Sequence, residues 1–222
     1  MPWDNTWEGV FASQDWGRYP GEDIVRFIAI NFYKRDRKKV KILEVGCGPC
    51  TNLWYIGREG FNVYGVDGSK TAIEKGKKRL SENGIEHDLI VGDIEKLPYE
   101  NDFFDGILDV ECLCCNNFYN STILLNEIHR VLKVGGLFYS RTFSDKSYVG
   151  RENKLVGDKE YIDISDGPLA GKGFVRLSNK DDIARLYGKS FEIMSIDRLF
   201  STRNNMEYSI DEYCIVCRKV GS

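Results

Sequence analysis

The segment Ile42-Leu43-Glu44-Val45-Gly46-Cys47-Gly48 restricts the possible folds more than any other part of the chain. A short run rich in apolar residues ends in two glycines one residue apart, and glycine lets a backbone turn sharply and pass close to a ligand. The run at residues 40–45 reads as a strand followed by a tight turn. If such strands are buried on both faces they need helices on either side, so the remaining sequence should alternate between the two.

Helical spacing of Ile24, Phe27, Ile28 and Phe32 predicts a helix over residues 22–33, after an aromatic-rich segment at 3–19 that has few regular signals. The charged run 34–39 reads as a solvated connector. A helix over 52–58 ends at Gly60, and a strand over 62–66 ends at Asp67. A helix over 70–82 takes Ser69 as its cap and Gly84 as its stop, and a strand over 88–91 runs into Gly92-Asp93. The fourth strand, 104–110, is nearly continuous in apolar residues. Leu124, Leu125, Ile128, Val131 and Leu132 give a helix over 121–132 its buried stripe, and Gly135-Gly136 should break it before a fifth strand at 137–143. Residues 144–177 have no clear period and read as an insertion near the strand ends. Ser178-x-x-Asp181 reads as the capping pattern of a helix closed by Gly188. Residues 191–200 and 213–219 should form an antiparallel pair joined by a loop at 201–212. The expected fold is α/β and doubly wound. Its mostly parallel seven-stranded sheet has an antiparallel last strand, with helices on both faces and an N-terminal cap segment. The expected organisation is a cap over 1–39 and one domain over 40–222, with the insertion at about 144–177.

At 222 residues, 42% hydrophobic and 29% charged, the chain has material for a sizeable core. A net charge of -3 argues against a broad phosphate-binding surface, and so against a nucleic-acid partner. No stretch of about 18 apolar residues suggests a membrane span. The N-terminus lacks the pattern of a secretory signal, so a cytoplasmic location is expected. Seven cysteines, an odd number, read as free thiols of a reducing compartment. Cys-x-x-Cys spacings raise the question of zinc. Cys47 and Cys50 lie in the glycine turn, and Cys214 and Cys217 sit at i and i+3 of a strand, where side chains face opposite sides. No metal site is expected, and the oligomeric state stays open between monomer and homodimer.

The features that carry chemistry fall at strand ends, where open α/β sheets bind their ligands. The glycine turn follows the first strand. Asp67 ends the second, 21 residues after Gly46, the reach at which an acid commonly accepts hydrogen bonds from ribose hydroxyls. Asp93 ends the third strand, and the fourth runs into Asp109, Val110 and Glu111.

These segments resemble the motifs of class I, Rossmann-like S-adenosylmethionine-dependent methyltransferases. The resemblance rests on the glycine turn, on Gly65-Val66-Asp67-Gly68-Ser69, on Gly92-Asp93-Ile94-Glu95-Lys96-Leu97-Pro98 and on Phe103-Phe104-Asp105-Gly106-Ile107-Leu108-Asp109. It extends to Glu127-Ile128-His129-Arg130-Val131-Leu132-Lys133-Val134-Gly135-Gly136, and so covers residues 40–143. It implies S-adenosyl-L-methionine as cofactor. Gly46 and Gly48 would lie against its methionine portion, with Glu44 supporting the turn and the ammonium. Asp67 and Gly68 would hold the ribose, Asp93 and Ile94 the adenine, and Asp109 would stand beside the transferable methyl. The chain departs from the family at Cys50, where many members carry a third glycine; this matters less for a cofactor without a pyrophosphate. The resemblance also implies that the N-terminal segment covers the site, with Tyr19 in the stretch Trp16-Gly17-Arg18-Tyr19-Pro20 as a lid residue. Trp7, Phe11, Trp16 and Tyr19 read either as a packing cluster or as a lid, and an aromatic face suits a sulfonium because it attracts a cation.

The expected reaction is in-line methyl transfer to a small-molecule acceptor, with an oxygen, nitrogen or carbon nucleophile left open. A general base is needed only where the nucleophile must lose a proton. Asp109, Glu111 and Tyr19 are the candidate catalytic residues; His129 is a further candidate but sits in the apolar stripe of a helix, and His87 lies in a polar turn. Lys146, Arg151, Lys154, Lys159, Lys172 and Arg176 of the insertion offer partners to an anionic acceptor, although the acids among them favour a solvated surface. Two other functions share these motifs. A non-catalytic S-adenosylmethionine-binding module keeps the turn and Asp67. A nicotinamide-dependent oxidoreductase wants Gly-x-Gly-x-x-Gly, whose third glycine is missing here.

Overall fold

The computed structural model describes residues 4–221; Trp3 of the aromatic segment lies outside them. Strands β1 (Lys41–Val45), β2 (Asn62–Asp67), β3 (His87–Val91), β4 (Phe104–Val110), β5 (Leu132–Phe143), β9 (Glu192–Arg203) and β10 (Tyr208–Arg218) form one sheet. Its order is β3-β2-β1-β4-β5-β10-β9. β10 runs antiparallel to both neighbours, and the pairs from β3 across to β5 are all parallel. The chain winds outward in both directions from β1, so the strand order switches between β1 and β4.

Successive residues of the central strands serve opposite faces. Ile42, Val63, Leu108 and Tyr139 pack with helices α2 (Glu22–Phe32), α3 (Thr51–Arg58) and α4 (Lys70–Glu82). Leu43, Val66, Ile107 and Phe138 pack with α5 (Phe118–Val131) and α6 (Lys180–Tyr187) on the other side. A two-sided core explains why these strands read as unbroken apolar runs. Cys214 and Cys217 fall into these two different cores, as their spacing predicts.

Several local expectations need correction. Gly135-Gly136 does not separate helix from strand: α5 passes directly into β5 at Leu132, and the glycines bulge out where the pairing steps from Phe104↔Leu132 to Gly106↔Leu137. Gly135, at φ +77°, donates to Lys219 O at 2.8 Å, and Lys219 Nζ in turn donates to the carbonyls of His129 and Leu132, closing the end of α5. α5 begins earlier than its apolar stripe, because Asn117 caps it by accepting from Asn120 N. The capping box of α6 is Asn179 with Asp182, one residue beyond the Ser178-Asp181 pattern. The expected loop at 201–212 is mostly strand, since β9 and β10 continue to a turn at residues 204–207. The insertion is ordered as well. Its strands β6 (Lys154–Gly157), β7 (Glu160–Ile162) and β8 (Val175–Arg176) form a small antiparallel sheet beside a separate core of Phe143, Ile164, Leu169 and Leu177. Helix α1 (Thr6–Ser13) precedes the domain. Among the described residues no helix is long and apolar enough to cross a membrane.

Candidate active site

A cavity of about 660 Å³ opens over the carboxyl ends of β1, β2, β3, β4 and β5. The turn after β1 shapes its floor through three positive backbone angles in close succession. Gly46 (φ +64°) and Gly48 (φ +49°) are joined by Cys50 (φ 61°), which takes the left-handed conformation a glycine would adopt most easily. A side chain on Gly46 would strike Cys112 Sγ at 2.3 Å, so that glycine is required by close approach as well as by conformation.

Asp67 pins this turn. Its Oδ2 accepts from Gly48 N and its Oδ1 from Ser69 N, each at 2.8 Å, joining the end of β2 to the turn after β1. Burial raises its proton affinity against the pull of those two donors. Glu44 is 2% exposed. One of its oxygens accepts from Asn52 Nδ2 at 2.5 Å, and Oε2 has no donor among the described residues. Burial pushes its carboxyl up to about 8, opposed by Asn52 and reinforced by Asp67 and Asp109. A buried carboxyl lacking a donor is costly to ionise and gains most from a cation brought alongside.

Gly68, Asp93 and Ile94 also lie on the wall, and Asp93 Oδ1 accepts from Glu95 N at 2.9 Å. Tyr19 reaches the wall edge-on to Trp54, 69% exposed. Trp7, Phe11 and Trp16 form a contiguous aromatic cluster there, with Phe11 and Trp16 centroids 5.1 Å apart. α1 is held over the site by polar contacts to α4. Glu8 accepts from the hydroxyls of Ser69 and Thr71, which hold its carboxyl below the usual range, and Lys75 donates to Phe11 O. Lys172 reaches across from the insertion, 5.2 Å from the Trp16 ring centre.

Asp109 is not on the cavity wall. It pairs in register with Val45 and faces the α5–α6 side of the sheet, opposite Glu44. There Oδ1 accepts from Cys112 N and Leu113 N at 3.0 Å and Oδ2 from Ser140 Oγ at 2.5 Å, fully buried. Glu111 lies beyond the end of the strand with φ 63°, and unlike Asp109 it does line the cavity. His129 packs its ring against Phe191, 5.3 Å between centres, away from the cavity. Arg176 is buried and bonded to Asn116 O and Ser178 Oγ, so it is not part of a solvated face.

The sequence reading missed a charged centre on the cavity wall. Arg141 of β5 contacts Asp23 at 3.2 Å, Glu111 at 2.5 Å and Glu212 at 3.1 Å. Burial opposes its charge, and Glu111, Glu212 and Asp23 more than restore it. Its signal was a cation in the middle of a buried strand, where an unpaired charge would be costly.

The family profile described as "Methyltransferase domain" matches residues 43–140. The chain is 30% identical over 196 residues to a ubiquinone biosynthesis O-methyltransferase from Pelagibacter ubique, covering 80% of this chain and 76% of that one. It is 34% identical over 116 residues to a phthiotriol/phenolphthiotriol dimycocerosates methyltransferase from Mycobacterium tuberculosis, covering 49% of this chain and 42% of that one. Among solved structures, the Burkholderia thailandensis 1,6-didemethyltoxoflavin-N1-methyltransferase with bound 1,6-didemethyltoxoflavin and S-adenosylhomocysteine superposes with TM-score 0.67. It is 16% identical, and the match covers 98% of this chain and 84% of that one. The chain belongs to the class I S-adenosylmethionine-dependent methyltransferases, and S-adenosylmethionine is its cofactor.

Proposed function

We propose that the chain transfers a methyl group to a small-molecule acceptor by in-line displacement, with both reactants in the cavity over the strand ends. The observation that carries this reading is the buried carboxyl of Glu44, whose Oε2 has no donor among the described residues, lining the same cavity as the glycine turn and Asp67. In this reading Glu44 receives the cofactor's ammonium, and Gly46 and Gly48 make room for its methionine portion. Asp67, with lone pairs left after Gly48 and Ser69, accepts from ribose hydroxyls beside Gly68. Asp93 and Ile94 border the adenine. When bound, the cofactor supplies an electrophilic methyl on a sulfonium whose leaving group is a neutral thioether. The protein's own task is to align the acceptor and exclude water. Residues 1–39 act as the cap, through Trp7, Phe11, Trp16 and Tyr19. Residues 144–177, with β9 and β10, shape the acceptor side.

Calorimetry with S-adenosylmethionine, S-adenosylhomocysteine and NADH tests the cofactor half. Binding of both sulfur ligands and not of NADH is expected; tight NADH binding with neither sulfur ligand would overturn the reading. Incubation with methyl-labelled cofactor and a metabolite extract tests transfer, which requires label to appear in a low-mass product.

A further inference from the structure

Beyond the groups assigned to the cofactor, the cavity wall carries an apolar surface that includes Phe143, Leu169, Phe174 and Phe200. Glu111, Arg141 and Glu212 stand on the same wall. One guanidinium here serves three carboxylates, and the three are not equivalent. Asp23 has a second donor, the Tyr139 hydroxyl at 2.6 Å. Glu111 takes Arg141 Nη2 at 2.5 Å. Glu212 faces Arg141 Nε at 3.1 Å, but the two are not aligned, and neither that nitrogen nor Glu212 Oε1 has a hydrogen-bond partner among the described residues. Glu212 is also 93% buried, being 7% exposed. It is a cavity-wall carboxyl that the protein leaves without a settled donor.

We propose that Glu212 takes the proton from a weakly acidic hydroxyl of the acceptor, a phenol or enol on an apolar, ring-bearing body, while Arg141 faces the oxygen as it becomes anionic. The proposal rests on the methyltransferase reading above and names its acceptor class. An oxygen nucleophile suits the site better than an amine. A neutral amine can attack without first losing a proton, whereas a hydroxyl becomes a strong nucleophile only as its proton leaves, and a wall carboxyl without a settled donor can take that proton. The aromatic and aliphatic wall suits a flat apolar body. In the step itself, the oxygen–methyl bond forms as the methyl–sulfur bond breaks. The electron pair of the broken bond stays on sulfur, and the hydroxyl proton passes to the Glu212 carboxylate.

The charged groups around Glu212 are Arg141 from β5, Glu111 beyond the end of β4 and Asp23 from α2. Burial pushes its carboxyl up to about 8, with Glu111 adding to the rise and Arg141 opposing it. A base in that range is well matched to a phenolic proton.

Two phenols of different acidity test the role, with labelled S-adenosylmethionine as donor. In Glu212→Gln at about pH 8.5, transfer to 4-methylphenol should fall about a hundredfold, as loss of a general base does, and transfer to 4-nitrophenol, ionised at that pH, by less than about tenfold. The wild-type rate with 4-methylphenol should climb with pH and level off once Glu212 is ionised, and this rise should vanish in the variant. S-adenosylhomocysteine affinity should be unchanged. Equal losses with both phenols, or no transfer to either by a wild-type protein that binds S-adenosylhomocysteine, would overturn the proposal. A wild-type protein that does not bind S-adenosylhomocysteine overturns the cofactor reading beneath it. If Glu212→Gln does not fold, Glu212→Asp is read by the same comparison: a larger loss with 4-methylphenol supports the role, and equal losses reject it.

Discussion

The thiol of Cys50 occupies the space that a side chain on Gly76 would need: a Cβ built on Gly76 stands 2.5 Å from Cys50 Sγ. Gly76 lies inside α4, where alanine is normally the better helix former by about 1 kcal/mol. Here the preference should reverse. Gly76→Ala should cost about 1–3 kcal/mol through overpacking, read by urea denaturation. Cys50→Gly removes the obstacle and suits the left-handed backbone, so the double variant should recover most of the loss. Strict additivity of the two changes would show that the contact is not what excludes the side chain.

Asp67→Ala should act twice. Loss of the ribose acceptor should lower S-adenosylhomocysteine affinity, measured by calorimetry. The freed N–H groups of Gly48 and Ser69 should also cost about 1–3 kcal/mol of stability. Unchanged affinity would undo the ribose assignment, and unchanged stability would undo the account of the turn.

Glu44 should make stability fall as pH rises. Its folded-state proton affinity, near pH 8, lies above the ordinary value of 4.5, so the folded chain holds more protons than the unfolded one between those limits. Stability contributed by the protonated group is complete below that window and is lost across it. Glu44→Gln should therefore gain in melting temperature relative to wild type between about pH 5 and about pH 8.5. With the cofactor ammonium beside it, Glu44 should ionise. Binding of S-adenosylhomocysteine near neutral pH should then release a proton, seen as a buffer-dependent enthalpy that Glu44→Gln lacks.

Asp109→Ala should be a stability variant. Removing the acceptor of two backbone N–H groups and the Ser140 hydroxyl should cost about 2–4 kcal/mol by chemical denaturation. The folded fraction should bind S-adenosylhomocysteine as wild type does. A selective loss of affinity at full stability would return Asp109 to the cofactor.

The parallel half of the sheet was legible because its signals are local and redundant. A strand such as Phe104–Val110 is apolar on both faces, and Ser69 caps α4 by accepting from Ala72 N as its position predicts. Gly135-Gly136 misled because a glycine pair in a strand bulge reads like one that stops a helix. Strands β6 to β8 were invisible, since runs of two to four residues carry no measurable period. The half of the cavity proposed for the cofactor comes largely from one stretch, and its motifs kept their spacing. The half proposed for the acceptor joins Asp23, Glu111, Arg141 and Glu212, which the chain brings together only by closing the sheet. Glu212 was hidden further because its segment read as a loop.

The distribution of thiols has a practical consequence. Cys112 and Cys115 are half-exposed and both stand on the cavity wall, while Cys50, Cys114, Cys214 and Cys217 are sealed in the interior. The protein thus carries its own occupancy gauge. A small alkylating reagent should consume those two sulfurs ahead of the sealed ones, and the speed at which it does so reports whether the chamber is filled, with no label added to the chain.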